Sequence, residues 1–257
     1  MPDRTRLRVL HDAATMTARA LRVSLRNIDV LMTALVLPVL LMLMFVYLFG
    51  GAIPTGTGSY VDYVVPGVLL VCVGFGAGAT GVSVAHDLAS GIIDRFRSID
   101  VRGEALIGGH VVASVARNLL STALVFAVAF AIGFHARAGV AAWLEAIAVL
   151  GLFVLALSWL AAAVGVLVRT PEAASGATFL ISFLAYPSSA FVPVHTMPRG
   201  LRGFAQHQPV TQVIDAVRGL LGGSPAGASA WTAVAWSLGI IVVTVPLTGA
   251  LFRRGTR

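Results

Sequence analysis

The chain alternates long uncharged apolar runs with short segments that gather its charges. Six runs reach the roughly 20 residues a helix needs to cross a bilayer core: about 30–50, 64–85, 111–134, 146–168, 173–194 and 231–252. The third holds Arg117 near its start, where a long side chain can snorkel to the interface. The fifth carries Pro187 and Pro193 towards its end, where they disrupt regular helix. The first run is longer than a signal-peptide core and follows a polar segment of 29 residues. It therefore reads as a retained span.

The segments between the runs have patterns of their own. Leu7, Leu10, Ala14, Ala18, Leu21, Leu25 and Ile28 recur at helical spacing, with Arg8, Arg19, Arg22 and Arg26 as a stripe beside them. That arrangement predicts an amphipathic helix lying in the headgroup plane over residues 1–29. Its Arg stripe serves either to fix topology and attract anionic lipid or to dock a partner.

Between the second and third runs, Gly91 and Gly103 bracket a short segment in which Ile92, Ile93, Phe96 and Ile99 follow the i, i+3/i+4 pattern. Asp94, Arg95, Arg97, Ser98 and Asp100 supply its polar remainder. An apolar knob within mixed charge suits docking of a soluble partner; a solvated connector with a helical turn is the plainer reading.

Between the fifth and sixth runs, Thr196 is placed to cap a helix with Pro198 in its first turn. A second helix is expected after Pro209, with Val210, Val213, Ile214, Val217 and Leu221 on one face. Asp215 and Arg218 can pair at i, i+3, and Gly222-Gly223 ends the helix. Two short amphipathic helices at this place predict a re-entrant or interfacial cap. In the second run, Gly74 with Gly78 and Ala77 with Gly81 fit small-xxx-small spacing. They allow close helix contact within the chain or across a dimer.

Composition agrees with lipid as the solvent. The 257 residues are 58% hydrophobic and 11% charged, with mean hydropathy +0.90, whereas soluble domains are nearer a quarter charged. The net charge is +7, and every basic residue is Arg. Basic loops stay cytoplasmic. With six spans, 14 Arg fall on the side of the termini and the loop at Arg95, Arg97 and Arg102. Only Arg137, Arg199, Arg202 and Arg218 fall on the other. Both termini of a multi-pass membrane protein are therefore expected in the cytoplasm.

Candidate chemistry is sparse. Without Lys the chain cannot form a P-loop, and the Gly-rich stretch from Gly74 to Gly81 sits inside an apolar run. His11, His86, His110, His135, His195 and His207 show no ligand spacing. Ser83 lies in Gly81-Val-Ser-Val-Ala85, which lacks the last Gly of a nucleophile elbow. Single Cys72 forms no intrachain disulfide. Glu145 and Glu172 lie at span edges, away from the depth a proton relay would use.

Three segments carry a resemblance. Gly91-Ile-Ile-Asp-Arg-Phe-Arg-Ser98, Ala190-Phe-Val-Pro-Val-His-Thr-Met-Pro198 and Gln208-Pro-Val-Thr-Gln-Val-Ile-Asp-Ala-Val-Arg218 resemble the membrane subunits of type 2 ATP-binding-cassette (ABC) exporters. More narrowly they resemble the daunorubicin-resistance permeases, over nearly the whole chain. The resemblance implies an all-α integral membrane protein with six transmembrane helices over 30–252 and a cytoplasmic tail at 253–257. It implies an N-terminal interfacial helix that helps contact an ATPase, here with Arg8, Arg19, Arg22 and Arg26. It implies a short cytoplasmic coupling helix near residues 90–101, with Ile93, Asp94, Arg95, Phe96, Arg97 and Ser98 meeting the ATPase. It also implies an extracellular re-entrant helical hairpin marked by Pro193, Pro198, Pro209, Asp215 and Arg218. The function implied is that of a non-enzymatic permease subunit exporting an amphipathic drug, antibiotic or lipid-like molecule. ATP and magnesium would sit on a separate P-loop ATPase subunit, with no cofactor, metal or catalytic residue in this chain. A second permease copy or close paralogue would complete the pore. Export of a glycan or lipid by the same machinery is the nearest alternative. A stand-alone secondary transporter predicts intramembrane ionisable groups or inverted repeats, and neither stands out.

Overall fold

The computed structural model describes residues 28–50, 52–53, 59–91, 103–224 and 227–254. Among them the regular structure is helical throughout. Helix α1 (Ile28–Met44) contains Pro38 and runs into a π turn, Phe45–Phe49. Then come α2 (Tyr60–Ala89), α3 (Gly103–Ala131), α4 (Val140–Val168), α5 (Pro171–Phe183), α6 (Arg199–His207), α7 (Pro209–Leu221) and α8 (Ala228–Arg254). Helices α2, α3, α4 and α8 are long and apolar enough to cross a membrane. The 30 residues of α2 extend about 45 Å at 1.5 Å per residue. The apolar part of α1 with its π turn, Val36–Phe49, is shorter. The N-terminal amphipathic helix and the coupling segment, with Arg8, Arg19, Arg22, Arg26, Ile93, Asp94, Arg95, Phe96, Arg97 and Ser98, lie outside the described residues.

Helix α2 is the axis of the bundle. It is apolar on every side, as a fully buried helix must be: Val64, Val65, Val68, Leu69, Val71 and Val73 are all buried. Helices α1, α3, α4 and α5 pack around it, and α8 packs against α4 and α7. The small residues of α2 serve contacts within the chain. A Cβ on Gly74 would meet the Ser182 backbone of α5 at 3.1 Å, and one on Gly81 would meet the Ala161 carbonyl of α4 at 2.7 Å. Small-xxx-small spacing thus brings three helix backbones together. Helix α8, by contrast, turns Trp231, Trp236, Leu238, Val242 and Val243 outward, and α5 does the same with Phe179, Leu180 and Phe183. Apolar faces this extensive belong against lipid or protein.

The turn between α4 and α5 is tight. Arg169 ends α4 in the left-handed conformation, φ 60°. Thr170 then caps α5, its hydroxyl accepting from Ala173 N–H at 3.4 Å, with Pro171 at the first helical position. Helix α5 is shorter than the 173–194 run predicts: it stops at Phe183. The cause is Pro187, whose ring would clash with the carbonyl four residues earlier, that of Phe183. Buried turns follow, containing Ala185, Ser188, Ser189, Ala190 and Phe191. Helix α3 also differs from expectation, starting at Gly103 rather than near residue 111.

Candidate functional site

The interrupted stretch after α5 poses a physical problem. Backbone buried outside a helix has N–H and C=O groups that must find partners. Its neighbours supply them. The Tyr60 hydroxyl donates to the Phe191 carbonyl at 3.0 Å, and the Tyr63 hydroxyl to the Ser189 carbonyl at 3.0 Å. Gln208 donates its side-chain amide to the Pro187 carbonyl, and the Ser188 hydroxyl accepts from Ala190 N–H at 3.1 Å.

Arg218 on α7 completes this knot. One terminal nitrogen donates to the carbonyls of Ser189 at 2.7 Å and Tyr63 at 3.0 Å; the other donates to Asp215 at 2.8 Å. The guanidinium carbon lies 3.9 Å from the centre of the Tyr63 ring, a cation–π arrangement. Asp215 also accepts from the Ser189 hydroxyl at 2.7 Å. Burial draws the Arg218 guanidinium below its ordinary pKa, while Tyr63 and Asp215 oppose that shift. The i, i+3 pair expected from the sequence is present. Its further partners, Tyr63 and Ser189, lie 155 and 29 residues from Arg218 in the chain, too far for any local spacing to announce them.

The face of α7 carrying Val210, Val213, Ile214, Val217 and Leu221 is buried as its spacing predicts. The three prolines each open an element. Pro193 precedes the 3₁₀ turn Val194–Thr196, Pro198 is the N-cap of α6, and Pro209 is the first residue of α7. Thr196 does not cap α6. Its hydroxyl instead donates back to the Pro193 carbonyl at 2.7 Å, and the Pro198 carbonyl receives Leu201 N–H at 3.0 Å. At the same end of the bundle, Asp62 accepts from His135 N–H, and Arg137 N–H donates to the Leu221 carbonyl, both at 2.9 Å. One network thus ties α2, α6, α7 and the α3–α4 loop into a cap.

A second polar system lies in the bundle interior. Arg117 does not snorkel; it points inward and is 8% exposed. Its guanidinium donates to the Gly76 carbonyl and to the Thr80 hydroxyl of α2, each at 2.9 Å. Two facts explain the departure. Helix α3 begins at Gly103, so Arg117 lies about 21 Å along it rather than in its first turns. Gly76 has no side chain to cover its carbonyl. On the same helix Asn118 donates to the Ser114 carbonyl at 2.9 Å, and Ser114 receives the Ser158 hydroxyl of α4 at 2.9 Å. Between α3 and α4 a cavity of about 210 Å³ is lined by Thr122, Phe126, Trp143, Ala146, Leu150 and Val217, among others.

The ABC-2 type transporter family profile matches residues 12–221. The chain belongs to the ABC-2 type transporter family. It is 31% identical over 224 residues to the daunorubicin resistance ABC transporter permease protein DrrB1 of Streptomyces coeruleorubidus, covering 87% of this chain and 79% of that protein. It is 24% identical over 227 residues to the probable doxorubicin resistance ABC transporter permease protein DrrC of Mycobacterium tuberculosis, covering 87% and 82%. As an ABC-2 type permease the chain is a transport component rather than an enzyme, and its family implies a partnering ATP-binding subunit. The matched region takes in the α5–α7 cap and the Arg117 interior. Both therefore belong to the transport domain of this ABC-2 type permease.

Proposed function

We propose that this permease exports an amphipathic drug, antibiotic or lipid-like molecule across a bacterial inner membrane, driven by ATP hydrolysis on a separate subunit. The observation that carries the reading is the 31% identity to DrrB1 over 87% of the chain. Six spans, with both termini and residues 92–102 in the cytoplasm, agree with the distribution of Arg. The α6–α7 hairpin then caps the extracellular side and re-enters the outer leaflet. Two permease copies form the path. ATP and magnesium act on the partner subunit, and closure of that subunit pushes Phe96 and its charged neighbours. The N-terminal helix, through Arg8, Arg19, Arg22 and Arg26, steadies the contact.

The test is transport. The chain is co-expressed with a candidate ATP-binding subunit from the same organism, and everted vesicles are supplied with doxorubicin and ATP. Uptake that needs ATP and both chains supports the reading. Uptake by the permease alone, driven by an ion gradient, would replace it with a secondary carrier. ATP-dependent uptake of labelled lipid or glycan, with doxorubicin excluded, would keep the machine and change its cargo.

A further inference from the structure

Helices α2 and α3 flank residues 92–102. Where they approach that segment, Asp87 and His110 meet. The Nε2 of His110 lies 3.0 Å from an Asp87 carboxylate oxygen, and each side chain is 10% exposed. Asp87 stands two residues before the end of α2, where Ser90 N–H closes the last turn on the His86 carbonyl at 2.9 Å. An apolar cluster of Val84, Leu106, Ile107, Val111, Val166 and Phe252 joins α2, α3, α4 and α8 at this end. Packing alone would hold the helices together there. A carboxylate and an imidazole withdrawn from water add little net stability, because desolvation opposes their attraction. What such a pair supplies is a fixed geometry: a directional contact between the two helix ends that a nonspecific apolar cluster does not define.

We infer that Asp87 and His110 are positioning residues that clamp the two feet of the coupling segment, so that α2 and α3 move as one body when the ATPase displaces it. This rests on the proposed reading of residues 92–102 as the coupling segment. The clamp determines how much of the ATPase stroke reaches the spans; it does not determine whether the ATPase binds.

The experiment uses the full chain with its ATP-binding partner in vesicles, measuring ATP hydrolysis and doxorubicin uptake together. The variants are Asp87→Leu with His110→Leu, which replaces the pair by apolar groups of tolerable size, and Asp87→His with His110→Asp, which exchanges the partners. The double-leucine variant is expected to assemble and hydrolyse ATP within twofold of the native complex while uptake falls at least tenfold. The exchanged pair is expected to recover a third or more of native uptake. Native uptake in the double-leucine variant would overturn the inference while leaving the exporter intact. Absence of ATP-dependent uptake in the native complex would instead overturn the underlying reading. A second measurement needs no ATPase. Spin labels at Ala89→Cys and Glu104→Cys, in a Cys72→Ala background, should give a narrow distance distribution that the double-leucine change broadens. Equal distributions would refute the clamp.

Discussion

Arg218 and Tyr63, 155 residues apart, are joined twice over. The guanidinium lies 3.9 Å from the centre of the Tyr63 ring and donates to the Tyr63 carbonyl from two nitrogens, at 3.0 and 3.2 Å. A planar fork can do both at once, and an ammonium cannot. Arg218→Lys should therefore fail to restore the knot. Arg218→Met should lower stability by about 2 kcal/mol, since Asp215 and the Ser189 carbonyl lose a donor. Tyr63→Phe should cost about 1 kcal/mol, because only one hydroxyl bond is lost. Thermal unfolding followed by fluorescence-detected gel filtration tests the ranking. A lysine variant as stable as the native chain would refute the fork argument.

The crossing of α2 with α5 and α4 yields a steric prediction. Gly81→Ala places a Cβ 2.7 Å from the Ala161 carbonyl and 2.8 Å from the Thr178 methyl, and the carbonyl belongs to a helix that cannot yield locally. Overpacking of this kind costs about 1–3 kcal/mol. At Gly78 the nearest atom, Thr178 Cβ, stands at 3.4 Å. Alanine should be tolerated there, whereas Gly78→Leu should lower the yield of folded protein. Normal yield and melting of Gly78→Leu would mean that the helices separate more easily than their contacts indicate.

How far the sequence announced these features varies from place to place. The buried face of α7 was legible because an apolar stripe at 3.6-residue spacing has one physical outcome when a partner is available. The Asp215–Arg218 pair was legible because i, i+3 neighbours meet on any helix. The Tyr63 and Ser189 carbonyls were not, since every residue carries a carbonyl and only the fold selects which ones face the guanidinium. The breaker Pro187 was visible, but its effect reaches back to Phe183, so the apolar run overstated α5. The apolar run begins near residue 111 and so places Arg117 at an interface, whereas the helix continues back to Gly103. Composition measures where water is unwelcome, and it does not measure where hydrogen bonding to helical backbone ends.

Arg117 offers a separation of structure from function. Its two acceptors have other partners: the Thr80 hydroxyl donates to the Gly76 carbonyl at 3.4 Å, and that carbonyl lies within α2. Arg117→Met should therefore fold with stability within about 2 kcal/mol of native, as the charge-assisted bonds lost are offset by the desolvation no longer incurred. Ionisable groups at this depth are costly and tend to mark transport paths. ATP-dependent uptake by Arg117→Met is accordingly expected to fall at least fivefold at equal surface expression. Unchanged uptake with a large drop in melting temperature would make the cation structural.

The last prediction concerns Phe96, which lies outside the described residues. In the segment 92–102 it is the one aromatic side chain among Ile92, Ile93 and Ile99, with Asp94, Arg95 and Arg97 around it. If this knob seats in a pocket of the ATPase, a carboxylate there would have to be buried without a partner, which costs several kcal/mol. Phe96→Asp should then insert normally, because a polar residue at this position leaves the apolar runs unchanged. It should lose at least nine-tenths of the ATP-binding subunit on mild-detergent purification. Phe96→Leu should keep most of it, since the pocket would still be filled by an apolar group. Equal retention by the native chain and Phe96→Asp would move the docking contact elsewhere. The N-terminal helix would be the next place to look, where Arg19→Glu with Arg22→Glu should then release the subunit.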